Sequence, residues 1–261
     1  MKFYAHPQGL SRANLAYLSA LCARAGGQEA DPGLGNNLSL IEVGNSTLLL
    51  APGDKRLLIA VHHDEGNTRE WATDVRAALV PWPKDNPLGK VHGDWLALGE
   101  RLWQELRPEL VKRTRADTAI WLTGHGLGGA LCQWLAARLT LLDDGIELAG
   151  VVSFGSPRIF DAALAKRLEE QLGERLWRVV NDQDVLTRLP PQCFGYRHAG
   201  QLCYFDLAGG LHDSDSDSSK WWGQFWDRCH YHGQWPFALD SSQIQEHGVE
   251  EYQQLCRSAS R

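Results

Sequence analysis

An α/β fold with a mainly parallel central sheet is predicted by three features of this sequence. Short apolar runs of strand length alternate with longer stretches of helical periodicity, an order that lays helices over a parallel sheet. One run, 119–122, leads into a glycine-rich turn, Thr123-Gly124-His125-Gly126-Leu127-Gly128-Gly129-Ala130, and on into a helix over 127–142. The chain has 261 residues, 43% of them hydrophobic, with no repeat and no linker, which suits one domain over 1–261 with a full core.

The elements follow in order. Residues 11–24 predict a helix, because Leu15, Leu18, Leu21 and Cys22 fall at helical spacing; this is favoured over a short signal-type apolar segment. Residues 38–42 and 46–51 predict two strands joined by a turn at Gly44-Asn45, and 57–62 a short apolar strand. Residues 71–79 predict a short helix or lid-like segment stopped by Pro81 and Pro83. A long helix is expected over 94–113. The helix after the glycine turn carries Leu131, Trp134, Leu135 and Leu139 on a repeating face. Strands at 151–154 and 177–180 enclose a helix at 161–172, and a terminal helix is expected at 243–256.

A net charge of −6 gives no electrostatic case for binding nucleic acid. No apolar run approaches the ~20 residues needed to span a bilayer. Six cysteines, Cys22, Cys132, Cys193, Cys203, Cys229 and Cys256, form no C-x-x-C pair, which disfavours a zinc ribbon. Cys193 and Cys203 flank a hairpin-like stretch and could pair in an oxidising compartment. Free buried thiols in a cytoplasmic protein are the favoured reading. The run 212–219, rich in Asp and Ser, reads as a solvated loop, since the glycine and distal glutamate of a calcium loop are missing. The aromatic stretch 221–237 reads either as core covering or as a lipid or partner surface.

The glycine turn is nearly the G-x-S-x-G elbow that presents a nucleophilic serine between a buried strand and a helix, but Gly126 occupies the serine's place. Further motifs occur in a fixed order. They are Val91-His92-Gly93-Asp94-Trp95, then Ser153-Phe154-Gly155-Ser156-Pro157-Arg158, then 179–191 with Asn181, Asp184 and Leu189-Pro190-Pro191. Gly195-Tyr196-Arg197-His198-Ala199-Gly200 and finally His247 through Tyr252 complete the set. From about 38 to 252 the chain resembles the class 3 (fungal-type) lipase family of α/β hydrolases.

The resemblance implies a single α/β-hydrolase domain, carboxylic ester or lipid ligands, and no cofactor. It places the acid at Asp184 and the base at His247, with Gly126 at the nucleophile position. In that scheme Asp184 accepts the Nδ1–H of His247 and fixes its tautomer. Asp182 is the alternative acid, and His198, His212, His230 and His232 are alternative bases, with His198 expected to be structural. The lid would be 65–79, marked by Trp71 and Asp74; Arg69, Glu70 and Arg76 make it polar.

Two departures from the family pattern act on the same chemical step. Glycine at 126 removes the hydroxyl; loss of the nucleophile in a studied triad enzyme costs on the order of 10⁶ in turnover. Where the family carries R-G-S or R-G-T after the early strand, this chain has His62-His63-Asp64-Glu65. Asp64 falls where a small hydroxyl residue would donate to the oxyanion, and a carboxylate there repels the developing charge. The backbone N–H groups of Asp64 and Leu127 are the remaining oxyanion-binding candidates. The expected function is a lipase-fold protein without serine acyl transfer that binds a lipid or a protein partner. The competing reading is an active esterase whose serine was replaced at Gly126. A metal site from His62, His63, Asp64 and Glu65 with His125 is disfavoured, because adjacent strand residues point to opposite faces.

Overall fold

The computed structural model describes residues 2–5, 9–29, 34, 37–64, 78–142, 146–182, 184–212 and 247–260. The expected lid residues Trp71 and Asp74, and the run 213–246 with the aromatic stretch, His230 and His232, lie outside these residues.

Helix α1 (Arg12–Ala25) starts at Ser11, whose side chain accepts from the Asn14 N–H at 3.1 Å. Strands β1 (Ser39–Val43), β2 (Ser46–Gly53) and β3 (Arg56–His63) form an antiparallel meander. Then come β4 (Leu79–Trp82), β5 (Gly89–His92), α2 (Gly93–Arg113), β6 (Ala119–His125) and α3 (Gly126–Leu141). Strand β7 (Leu148–Phe154), β8 (Phe160–Asp161) and α4 (Ala162–Leu172) follow; Asp161 caps α4 by accepting from the Leu164 N–H at 2.8 Å. The last elements are β9 (Leu176–Asn181), β10 (Tyr196–Arg197), β11 (Gln201–Phe205), β12 (Leu211–His212) and α5 (Val249–Ala259).

The main sheet has the order β1-β2-β3-β6-β7-β9-β11-β12. Its centre, β3 to β11, is parallel throughout, and both ends are antiparallel. The two-residue period of a strand divides the core between the two faces. Leu48, Leu50, Ile59 and Val61 pack against α2, α3 and α4. Leu49, Ala51, Leu58 and Ala60 pack against α1 and α5. Helix α3 lies between the sheet and its neighbouring helices. It therefore buries Ala130, Cys132, Gln133, Ala136 and Ala137 as well as the expected Leu131, Trp134, Leu135 and Leu139.

Four features differ from expectation. A second, antiparallel sheet, β10-β8-β5-β4, stands beside the first; strands of two to four residues, one containing Pro81, carry no readable period. Cys193 and Cys203 do not flank a hairpin, because β10 joins the small sheet while β11 lies parallel to β9. Cys193 is exposed, Cys203 is buried, and both are free thiols. The motif strand expected over 195–200 is reduced to β10. The terminal helix runs from Val249 to Ala259 after Gly248, so 247–248 fall outside it and it extends past the expected end at 256; residues 243–246 lie outside the described residues.

Burial of the thiols has a consequence for pH. Burial pushes Cys22 up to about 12 and raises Cys132 and Cys256 as well. The folded state therefore holds these protons more tightly than the unfolded chain, where a thiol ionises near ~8.5. Their contribution is intact below that value and is lost as pH rises toward the folded values. Unfolding free energy should fall above pH ~9, by on the order of 1 kcal/mol per pH unit for each thiol, and the urea midpoint should fall with it. A flat urea midpoint between pH 8 and 10.5 would contradict this.

Candidate active site

In open α/β sheets, ligands bind beyond the carboxyl ends of the parallel strands. Here those ends carry His62 and His63 closing β3 with Asp64 next, His125 closing β6 with Gly126 next, Gly155 after β7, and Asp182 and Asp184 after β9. The chain turns from β6 into α3 at Gly126 with φ +55°, a left-handed conformation that L side chains adopt only under strain. The turn is tightly packed. A side chain at Gly128 would overlap the Val61 carbonyl, and one at Gly124 would overlap that of Gly128.

The structure brings Asp184 and His247 together, 63 residues apart in sequence. His247 Nδ1–H donates to Asp184 Oδ2 at 2.9 Å; the side chains are 7% and 0% exposed. The Tyr252 hydroxyl donates to the same oxygen at 2.6 Å, and the Leu186 N–H donates to Oδ1 at 3.0 Å. A buried carboxylate is tolerable only with its lone pairs engaged in this way. Burial first, then the Asp184 charge, raise the Tyr252 phenol well above its usual range, so it remains a donor at neutral pH. The phenol oxygen also accepts from the Asn181 N–H at 2.9 Å.

His125 fixes the base from the other side. Its Nε2–H donates to the His247 carbonyl at 2.6 Å. The two rings lie 4.6 Å apart between centroids, and His125 meets Tyr252 edge-on at 5.5 Å. A cleft of about 380 Å³ opens here, lined by Cys22, His62, His63, His125, His247 and Glu250 among others.

The loop bearing Asp184 is a short 3₁₀ turn, Val185–Arg188, with Asp184 as its cap. Arg158 holds its exit. The Arg158 backbone N–H donates to Leu189 O at 2.7 Å, and its guanidinium donates to Pro190 O at 3.0 Å and to Arg188 O. The alternative acid, Asp182, instead accepts from the Tyr204 hydroxyl. His198 bonds the Thr187 carbonyl, and His212 bonds Asp206 Oδ2 at 2.8 Å; neither meets Asp184 in a hydrogen bond.

The oxyanion segment departs from expectation. Thr47 and Ser46 of β2 pair with His62 and His63, so β3 remains in the ladder to its end. The next amide, Asp64 N–H, donates to Asn45 O at 2.8 Å. The expected inward donor at Asp64 is thus committed to the β1–β2 turn, and the Asp64 residue itself is exposed. Leu127 lies in the first turn of α3, at the positive end of the helix dipole. His62 turns toward Gly26, whereas His63 shares a hydrogen bond with Ser46 Oγ at 2.7 Å and meets Trp95 edge-on. Among the described residues no three His, Cys, Asp or Glu side chains gather as metal ligands. No described helix is long and apolar enough to cross a membrane.

Tyr252 and His125 had no assigned role in the sequence. The five-residue interval from His247 to Tyr252, across the start of a helix, is the signal that could have paired them. Tyr252→Phe is expected to lower stability by about 1–3 kcal/mol, because a buried amide and a carboxylate each lose a partner. It should also raise the His247 titration midpoint, since more negative charge remains on Oδ2. An NMR titration with an unmoved or lowered midpoint would contradict the assignment of that bond.

Comparison with known proteins agrees with this architecture. The family model for lipase (class 3) matches residues 63–194. A secreted mono- and diacylglycerol lipase of Fusarium solani is 38% identical over 156 residues, 59% of this chain and 45% of that protein. A chloroplastic phospholipase A(1) of Arabidopsis thaliana is 35% identical over 139 residues, 46% of this chain and 31% of that protein. The match thus spans under half the length of these curated relatives. In structure, the Rhizomucor miehei lipase in its propeptide complex superposes with a TM-score of 0.65 at 24% identity, covering 78% of this chain and 72% of that one. That likeness extends the α/β-hydrolase fold beyond the matched segment. With half of its length matched by the family model, the chain belongs to the class 3 lipase family.

Proposed function

We propose that this chain is a single-domain lipase-fold protein that does not form an acyl-enzyme, with Gly126 at the nucleophile position and Asp184–His247 as the remaining dyad. It holds a glycerolipid or a related carboxylic ester without cleaving it through a covalent intermediate. The observation that carries the reading is the left-handed backbone at Gly126, φ +55°, in the turn whose next-door residue His125 packs on His247. In the family's elbow this turn presents the nucleophile's side chain despite the strain, and glycine has no hydroxyl to present. The commitment of the Asp64 amide to Asn45 supports the same reading from the oxyanion side. The names of the relatives, mono- and diacylglycerol lipase and phospholipase A(1), supply the ligand class.

The test uses the chain as it stands. A fluorophosphonate probe should leave it unlabelled, short p-nitrophenyl esters should yield no acyl adduct by intact-mass analysis, and a monoacylglycerol should still bind in a tryptophan-fluorescence titration. Labelling at any residue of the site, or absence of lipid binding by the folded protein, would overturn the proposal.

The intact Asp184–His247–Tyr252 set favours one other reading, an active serine esterase in which Gly126 replaces the serine. The codon at position 126 in the source gene separates the two. A serine codon there supports the second reading and removes the first.

A further inference from the structure

We infer that His198 is a positioning residue of the site: it holds the Asp184 carboxylate in line with His247, acting through Thr187. The inference rests on reading Asp184 and His247 as a working pair.

The path is continuous and short. His198 Nε2–H donates to the Thr187 carbonyl at 2.7 Å. The Thr187 hydroxyl donates to the Asp184 carbonyl at 2.8 Å. Both bonds act on the single 3₁₀ turn, Val185–Arg188, that Asp184 caps and from which the Leu186 N–H reaches Oδ1. The turn is thereby held on its outer side by a residue from beyond β10, eleven positions away in sequence. Arg158 holds only the exit of the turn; His198 and Thr187 hold its body, where the orientation of the carboxylate is set.

The chemistry of the ring supports this role over space-filling. Burial, then the nearby guanidinium groups of Arg178 and Arg158, keep His198 neutral, far below its usual titration range. A neutral imidazole has one N–H, and a carbonyl acceptor requires it on Nε2. The other nitrogen, Nδ1, is buried with no hydrogen-bond partner among the described residues. An apolar side chain would fill this space without burying an unsatisfied nitrogen beside two cations. What an apolar side chain lacks is the N–H that reaches Thr187. Displacing a carboxylate by even part of an ångström matters, because misplacement of about 1 Å can cost two orders of magnitude in a positioned site.

The experiment reads the pair itself rather than turnover. In the intact chain, proton NMR should show a downfield His247 Nδ1–H resonance, and the His247 midpoint is followed through pH. His198→Leu should broaden or move that resonance upfield and lower the His247 midpoint by on the order of half a unit to one unit, as the carboxylate turns away. His198→Gln, whose amide nitrogen reaches the place of Nε2, should restore both signals. His198→Asn, which reaches only the place of Nδ1, should not.

Should His198→Leu fail to fold, Thr187→Val and Thr187→Ser decide: the valine variant should shift the resonance and the serine variant should keep it. A folded His198→Leu or Thr187→Val protein with the wild-type resonance and midpoint would overturn the inference and leave His198 as packing. An Asp184→Asn control that leaves His247 unmoved would instead remove the pair, and with it the reading on which the inference stands.

Discussion

Gly126→Ser is expected to gain fluorophosphonate labelling and measurable hydrolysis of short p-nitrophenyl esters, while remaining a poor enzyme. The gain follows from the nucleophile. Its loss costs on the order of 10⁶ in turnover in a studied triad enzyme, and the Asp184–His247 pair proposed as the dyad is already hydrogen-bonded, with Tyr252 donating to the same carboxylate oxygen. The ceiling follows from the oxyanion segment. One of its two expected donors, the Asp64 amide, is bonded to Asn45, and a missing donor costs roughly 10²–10³. The revertant should therefore fall about two to three orders of magnitude below Rhizomucor miehei lipase assayed in parallel.

A second readout accompanies the first. Serine at φ +55° is strained by about 1–2 kcal/mol, so the revertant should melt a few degrees lower. A folded revertant without labelling would sink the assignment of Gly126 as the nucleophile position. A revertant matching the fungal lipase would sink the oxyanion argument and leave the first intact.

The sequence made the parallel sheet legible because its strands are buried on both faces and read as apolar runs, as at 57–62 and 151–154. Helix α4 was legible at its start because Asp161 is both an N-cap residue and the true cap. The small sheet was not legible. Strands as short as Phe160–Asp161 are set by long-range pairing with Val91 and with Tyr196–Arg197, which no local pattern records. Asp184 could be chosen over Asp182 only through the family motif. The two lie on the same loop, and the choice is made by which carboxylate meets His247 and which meets Tyr204. The engagement of the Asp64 amide was equally hidden, because it depends on the β1–β2 turn delivering the Asn45 carbonyl from far along the chain.

Gly155→Ala should be among the most damaging single substitutions in this molecule. Gly155 follows β7 with φ +58°, and its N–H donates to Val179 O at 2.9 Å, so the backbone cannot relax by moving away. An added Cβ would stand 2.7 Å from Asp184 Oδ2 and 3.1 Å from two atoms of the His247 ring. Neither neighbour is free to yield, since Asp184 is held by Tyr252 and Leu186 and His247 by His125. Left-handed strain of about 1–2 kcal/mol and overpacking of about 1–3 kcal/mol should combine to lower the melting temperature by about 5–15 °C. Gly44→Ala separates the two contributions. Its φ is +60°, close to that of Gly155, but nothing lies within 4 Å of the added carbon, so it carries the backbone strain without the crowding. The excess loss in Gly155→Ala measures the crowding, and it should coincide with loss of the downfield His247 Nδ1–H resonance. Equal losses in the two variants, with that resonance intact, would mean that the acid and the base do not meet over this glycine.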